Sequence, residues 1–177
     1  MVKFLVENGC RIRDKNGIHY IHSCAKYDLQ TCEYLLKGDI TQEEINEVFI
    51  SNLFTRDRAV LFAPYVDFPK VFSDEKFELE VRTLTRIMYR GAHVPSDLDR
   101  VMGLLIEKGI DINYGDGSLL RIAASGCSEF ILKEMMDHGA DFSGSGNLYL
   151  KIFLDKGKKG CIDLLRRSYG EDVFDFI

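Results

Sequence analysis

Between residues 41 and 53 the sequence TQEEINEVFISNL places Ile45, Val48, Phe49, Asn52 and Leu53 at i, i+3, i+4, i+7 and i+8. That spacing puts all five on one face of a helix. Thr41 and Glu44 stand in the T-x-x-E pattern of a capping box, and Glu43 and Glu44 suit the positive start of the same helix. Two further apolar stripes recur at helical spacing: Val101, Met102, Leu104 and Leu105, then Ile131, Leu132, Met135 and Met136. Shorter helices are predicted over 22–27, 119–125 and 148–155. Ser96 and Ser128 are placed to start the helices that carry the two stripes.

The helical stretches stop at glycines: Gly9, Gly38, Gly109, Gly139 and Gly170. Gly9 to Gly38 is 29 residues, Gly109 to Gly139 is 30 and Gly139 to Gly170 is 31, while Gly38 to Gly109 is 71. The short intervals define a repeat of about thirty residues, and the long one has to hold two divergent units. A glycine past the last helical residue lets the chain leave through a left-handed conformation without a steric penalty. LLIEKGIDIN at 104–113 and EMMDHGADF at 134–142 are therefore two copies of one structural event.

On these residues the chain resembles an ankyrin-repeat protein. DKNGIHYIHSCAKYDLQTCEYLL is similar to the D-x-x-G-x-T-P-L-H-x-A-A pattern through Asp14, Gly17, Ile21, His22 and Ala25. DGSLLRIAASGCSEFILKEMMDHGADF is similar to it through Gly117, Leu120, Ala123, Ala124, Gly126, Glu129 and the Gly139-Ala140-Asp141 triplet. Tyr20 stands where proline is usual, and Arg121 where histidine is usual. The resemblance is strong over 1–40 and 101–170 and poor between about 54 and 100. It implies an all-α fold, an ankyrin-like solenoid of stacked antiparallel helix pairs with short loops or hairpins. The expected organisation is one repeat domain over 1–177. It comprises a half repeat at 1–13, a repeat at 14–40, a divergent repeat at 41–68, an irregular lengthened repeat at 69–113, a repeat at 114–142, and a terminal repeat and cap at 143–177. Strand content is confined to short hairpins near 12–18, 112–118 and 142–147. Because the chain begins inside a second helix, it is read either as a piece of a longer array or as one whose missing packing surface comes from elsewhere. Phe174, Phe176 and Ile177 either fold over the far end or form an exposed peptide.

The stretch 60–97 breaks the rhythm. Pro64 and Pro69 interrupt helical continuity, with Phe62, Tyr65, Phe68 and Phe72 around them. These aromatics either fill a widened core or surface as partner anchors. Arg82, Arg86 and Arg90 follow at i, i+4 and i+8 on one helical face, opposite Leu84, Ile87 or Met88. The stripe reads either as a solvated face or as a binding strip.

Composition narrows the function classes. The 177 residues are 46% hydrophobic, enough for a folded core, and the formal net charge of −5 argues against nucleic acid or an acidic membrane as a general partner. No apolar run approaches the roughly 18 residues of a membrane span, and no secretory leader is visible at the start. The five cysteines, Cys10, Cys24, Cys32, Cys127 and Cys161, are scattered and lack a C-x-x-C pair, so they read as buried thiols in a cytoplasmic or nuclear protein. His19, His22 and Cys24 lack a fourth metal ligand. SGSGN at 143–147 has no lysine to complete a phosphate loop. Lys156, Lys158, Lys159, Arg166 and Arg167 read as a solvated basic face. No cofactor is expected, and no nucleophile, base and orienting group fall together.

The expected function is a non-enzymatic scaffold or adaptor that binds a protein partner through the concave face of the stack. A small-ligand or catalytic domain on a helical scaffold is the alternative; a deep pocket with convergent polar groups would favour it. Because the stripes are committed to neighbouring repeats, the candidate partner-binding residues are those of loop tips and open first-helix faces: Arg13, Lys15, Asn16, Lys26, Tyr27, Asn113, Tyr114, Asp116 and Ser125. The family resemblance also implies that Leu105, Asp111 and Asn113 are similar to the spacing read by the asparaginyl hydroxylase of ankyrin repeats. Asparagine is equally a common residue in that loop.

Overall fold

The structure, a computed structural model, describes residues 7–8, 29–38, 40–54, 58–89, 97–142 and 148–170. Among the described residues every regular element is helical and there is no strand. The chain divides into two compact units, Met1–Phe77 and Glu78–Ile177.

The first unit contains α1 (Leu29–Leu35), α2 (Gln42–Asn52), α3 (Arg58–Phe62), a 3-10 turn (Ala63–Tyr65) and α4 (Phe68–Phe72). α2 starts as its sequence requires. The Glu44 amide donates to Thr41 Oγ1 at 3.2 Å, and the Thr41 amide donates to Glu44 Oε2 at 2.9 Å, closing the capping box. Its whole expected face is buried: Ile45, Val48, Phe49, Asn52 and Leu53. Asn52 is tolerated there because its Nδ2 donates to the Val48 carbonyl at 2.8 Å. The two prolines open short helical turns, each sitting in a first turn where no amide donor is needed. Around them Phe62 and Phe68 are buried and Phe72 is half-buried, whereas Tyr65 is exposed. Phe68 bridges Phe49 and Phe72 at centroid distances of 5.4 and 5.6 Å. Core filling thus accounts for three of the four aromatics.

α5 (Glu75–Tyr89) begins in the first unit and continues into the second, which also holds α6 (Leu98–Glu107), α7 (Tyr114–Gly126), α8 (Glu129–Asp137), α9 (Leu148–Asp155) and α10 (Lys159–Tyr169). α5 buries Phe77, Val81, Leu84 and Met88. Ile87, expected beside Leu84 and Met88, is exposed, because it falls one residue short of the i, i+4, i+7, i+11 stripe. Farther along, α6, α8 and α10 form successive neighbours in one layer, while α7 and α9 pack side by side in another. The layers are joined where α7 meets α6 and α8, and where α9 meets α10. The link from α7 to α8 is only Cys127 and Ser128, and that from α9 to α10 is residues 156–158. Leu105, Leu132 and Met135 lie fully inside this packing.

Four of the five expected glycine stops are described; Gly38 follows α1, its amide donating to the Leu35 carbonyl at 3.0 Å. At Gly109 (φ +79) the Ile110 amide reaches back to the Leu105 carbonyl at 3.1 Å and the Gly109 amide to Ile106 at 2.9 Å. Gly139 (φ +90) repeats this with Ala140 to Met135 at 2.9 Å and Gly139 to Met136 at 3.0 Å. Both are Schellman endings. Gly157 makes a third, between α9 and α10, that the repeat interval does not predict. Gly170 has positive φ but an extended ψ of 171°, so it leaves α10 without that motif. The Gly9 stop lies outside the described residues.

Two expectations are corrected, and a third falls on a residue outside the described ones. The hairpin expected near 112–118 is instead the entry into α7. Gly115 (φ +62) and Gly117 (φ +76) turn the chain within the helix's first turn rather than across a strand pair. Ser128 occupies the start of α8 but its side chain makes no cap bond; its backbone amide is taken by Asp99 Oδ1 of α6 at 2.8 Å. Asp99 thus takes the Ser128 amide from outside the helix, as an N3 side chain would in a capping box. α6 itself begins from Asp97, also without a side-chain cap bond, while Ser96 lies outside the described residues.

Candidate functional site

Four of the nine sequence-selected contact residues are described. Asn113 is exposed at the position before α7, and its amide donates to Asp111 Oδ1 at 2.9 Å. Tyr114 opens the helix, half-buried, with its amide on the Asp111 carbonyl at 2.9 Å. Asp116 lies on the same turn, and its side chain is outside what is described. Ser125 does not belong with them. It is eleven residues farther along α7, about 16 Å at 1.5 Å per residue, and only 5% exposed. Its expected place on an open face is corrected. α7 is covered by α6, α8 and α9, and Ser125 borders a cavity of about 270 Å³ with Met88, Leu148 and Ile152. Arg13, Lys15, Asn16, Lys26 and Tyr27 lie outside the described residues, as do His19, His22, Cys24, the 143–147 loop and the chain end after Gly170.

A second cluster forms where α5 passes the first turns of α7. Arg82, Thr85 and Arg86 from α5 face Gly115, Ser118 and Arg121 from α7 around an open cleft of about 200 Å³. Arg82 and Arg86 are one helical turn apart, so both guanidiniums reach the same side. Thr85 sits between them. Its hydroxyl donates to the Val81 carbonyl of its own helix at 2.8 Å and lies 3.3 Å from the Ser118 carbonyl of α7. Arg82 also pairs with Glu78 at 2.5 Å. Arg121 is half-buried, and its Nε is enclosed with no hydrogen-bond partner. A buried N–H left unmade costs roughly 1–3 kcal/mol.

The sequence marks Arg82, Arg86 and Arg90 as a stripe, the last outside the described residues, and Arg121 as an odd residue in its pattern, but does not bring them together. The signal was a charge inside the apolar run LLRIAA, whose neighbours Leu119, Leu120, Ile122, Ala123 and Ala124 are all buried. A cation in that setting has to find an outlet beside the helix.

The three described cysteines follow the expectation of burial: Cys32, Cys127 and Cys161 are buried thiols, while Cys10 and Cys24 lie outside the described residues. Burial pushes the Cys127 thiol well above its ordinary value, helped by the nearby Asp99 carboxylate, and burial raises Cys161 as well. Both are poor nucleophiles in this state. Of the basic face near the end, Lys158 donates to the Cys127 carbonyl and Arg166 lies 3.8 Å from Asp163, while Lys156, Lys159 and Arg167 are exposed.

Comparison of the chain with protein-family models, curated proteins and solved structures finds no match. Among the described residues no helix is long and apolar enough to cross a membrane.

Proposed function

We propose that this chain is an ankyrin-like, non-enzymatic interaction module that binds a protein partner through loop tips and first-helix starts. The observation that carries this reading is the duplicated unit in the second half. The α7–α8 and α9–α10 pairs, each with a short internal link, pack pair against pair in two layers. The α6 and α8 ends are the same glycine motif thirty residues apart. Such stacking commits the apolar stripes to neighbouring units and leaves recognition to the residues that protrude.

In this reading the partner surface includes Asn113 and Tyr114 at the start of α7, with Arg13, Lys15, Asn16, Lys26 and Tyr27 as the candidates of the earlier repeat. Tyrosine suits the role, offering a rigid apolar body with a polar tip at small entropic cost. Changing Tyr27 and Tyr114 together to alanine is expected to leave the circular dichroism spectrum unchanged. It weakens a native partner, captured from the source cell, at least tenfold, or about 1.4 kcal/mol. Full-strength binding by that double variant, with loss in an Arg82/Arg86/Arg90 triple alanine, moves the recognition surface to α5. The same fractions report whether Asn113 is hydroxylated, as one added oxygen in the intact mass.

A further inference from the structure

We infer that the cleft between α5 and α7 is an oxyanion site that takes the dianionic head of a phosphate monoester. Arg82, Arg86 and Arg121 converge on one cleft of about 200 Å³, in a chain whose overall charge is −5. Like charges brought together on a net-acidic protein repel one another, so the grouping costs stability unless an anion shares it. The described lining is suited to such a ligand. Guanidinium groups present paired donors that match the edges of a phosphate, and the floor is made of small groups, Gly115 and Ser118.

Two details separate this cleft from a solvated basic face. Arg121 is rooted among buried residues, and its enclosed Nε has no partner, whereas a merely solvated arginine keeps that donor in water. Thr85 brings α5 within 3.3 Å of the Ser118 carbonyl, so the roots of the arginines are held by helix packing. Glu78 is the internal competitor. It holds Arg82 at 2.5 Å, so an incoming dianion has to share or displace that carboxylate.

The test titrates the full chain with inorganic phosphate, then with a phosphoserine peptide and its unphosphorylated twin. Two-dimensional NMR follows the arginine side chains and the amides of 115–118. Inorganic phosphate is expected to shift these signals with a dissociation constant on the order of millimolar. Arg86→Gln, at an exposed position that folding does not need, weakens this at least tenfold; Arg121→Gln does the same. Glu78→Gln tightens it by freeing Arg82. Lys156→Gln, on a different face, leaves it unchanged. A phosphopeptide that binds at least tenfold tighter than phosphate, with its twin silent, assigns the phosphate to a protein partner. Equal affinities for phosphate and phosphopeptide assign it to a small phosphate. Absence of any saturable shift with either phosphate ligand overturns the site, as does an Arg86→Gln variant that binds like the parent. The titration uses no protein partner of the chain, so it stands or falls separately from the scaffold reading.

Discussion

At the residue scale, the thiol of Cys127 shows how burial overrides intrinsic chemistry. Water would stabilise its thiolate; the apolar surroundings and the neighbouring Asp99 carboxylate do not, and the folded-state pKa rises. A raised folded value means that the unfolded chain loses the proton first as pH climbs past the ordinary thiol value of 9.0. The contribution to stability is therefore intact below that pH and is lost as pH rises toward the folded value. Denaturant midpoints measured across this alkaline range are expected to fall in the parent and to fall less in Cys127→Ala; parallel curves would remove the thiol from the account. Leu105 and Leu132 make the complementary case for packing. Both are essentially buried, at 0% and 2% exposure, so truncation of either to alanine is expected to cost about 2–5 kcal/mol in urea unfolding. A loss below about 0.5 kcal/mol at both positions would mean that neither site is a filled core position.

At the element scale, helix ends carry the information. Thr41→Ala removes one half of a reciprocal cap and is expected to lower stability by about 1 kcal/mol. Restoration by Thr41→Ser but not by Thr41→Val would tie the loss to the hydroxyl. Gly109 and Gly139 hold φ of +79° and +90° with nothing within 4 Å of an added Cβ, so space is no obstacle there and backbone strain is the whole cost. Alanine at either is expected to destabilise by roughly 1–2 kcal/mol, and thermal unfolding of Gly109→Ala and Gly139→Ala should show matching shifts, because the two endings are built alike. Unequal shifts would indicate that one ending is held by more than its own turn. The capping box and these glycine ends were legible in the sequence, since each is decided within a few residues. The Gly157 ending is less legible, because it falls between Gly139 and Gly170, off the thirty-residue interval.

At the scale of the packed molecule, glycines separate local from tertiary effects. Gly103 lies inside α6, and an added Cβ would meet Ile131 of α8 at an ordinary 3.5 Å. Gly103→Ala is expected to stabilise by up to about 1 kcal/mol through helix propensity. Gly117 has φ +76 and would set a Cβ 3.1 Å from the hydroxyl of Tyr149, a buried residue of α9. Gly117→Ala therefore is expected to destabilise, through both strain and the α7–α9 contact. Opposite signs in calorimetry for these two variants support the packing described; a stabilised Gly117→Ala would mean that α7 and α9 are not held together at that point. Tyr169 closes the same region, donating to the Ala140 carbonyl at 3.1 Å and accepting from the Phe142 amide at 3.3 Å, and burial raises its phenol.

By itself the sequence determined the helical class, the buried face of α2, the span of α9 and the stops at Gly109 and Gly139. Periodicity, capping and left-handed glycine are local, so residues a turn or two apart suffice to decide them. What it left undecided depended on neighbours distant in the chain. The glycines of 112–118 serve equally for a hairpin or a helix entry, and the fold uses them as the entry into α7. Ser128 is a good cap by type, yet its side chain makes no cap bond, while its own amide goes to Asp99, 29 residues earlier. Ser125 reads as open on a first helix and is closed by the surrounding layers. Arg82 and Arg86 meet Arg121 only because α5 lies beside α7, and no spacing in one dimension encodes that approach. Charge and burial are sums over everything nearby, so which polar groups meet in a cleft is settled when the layers pack.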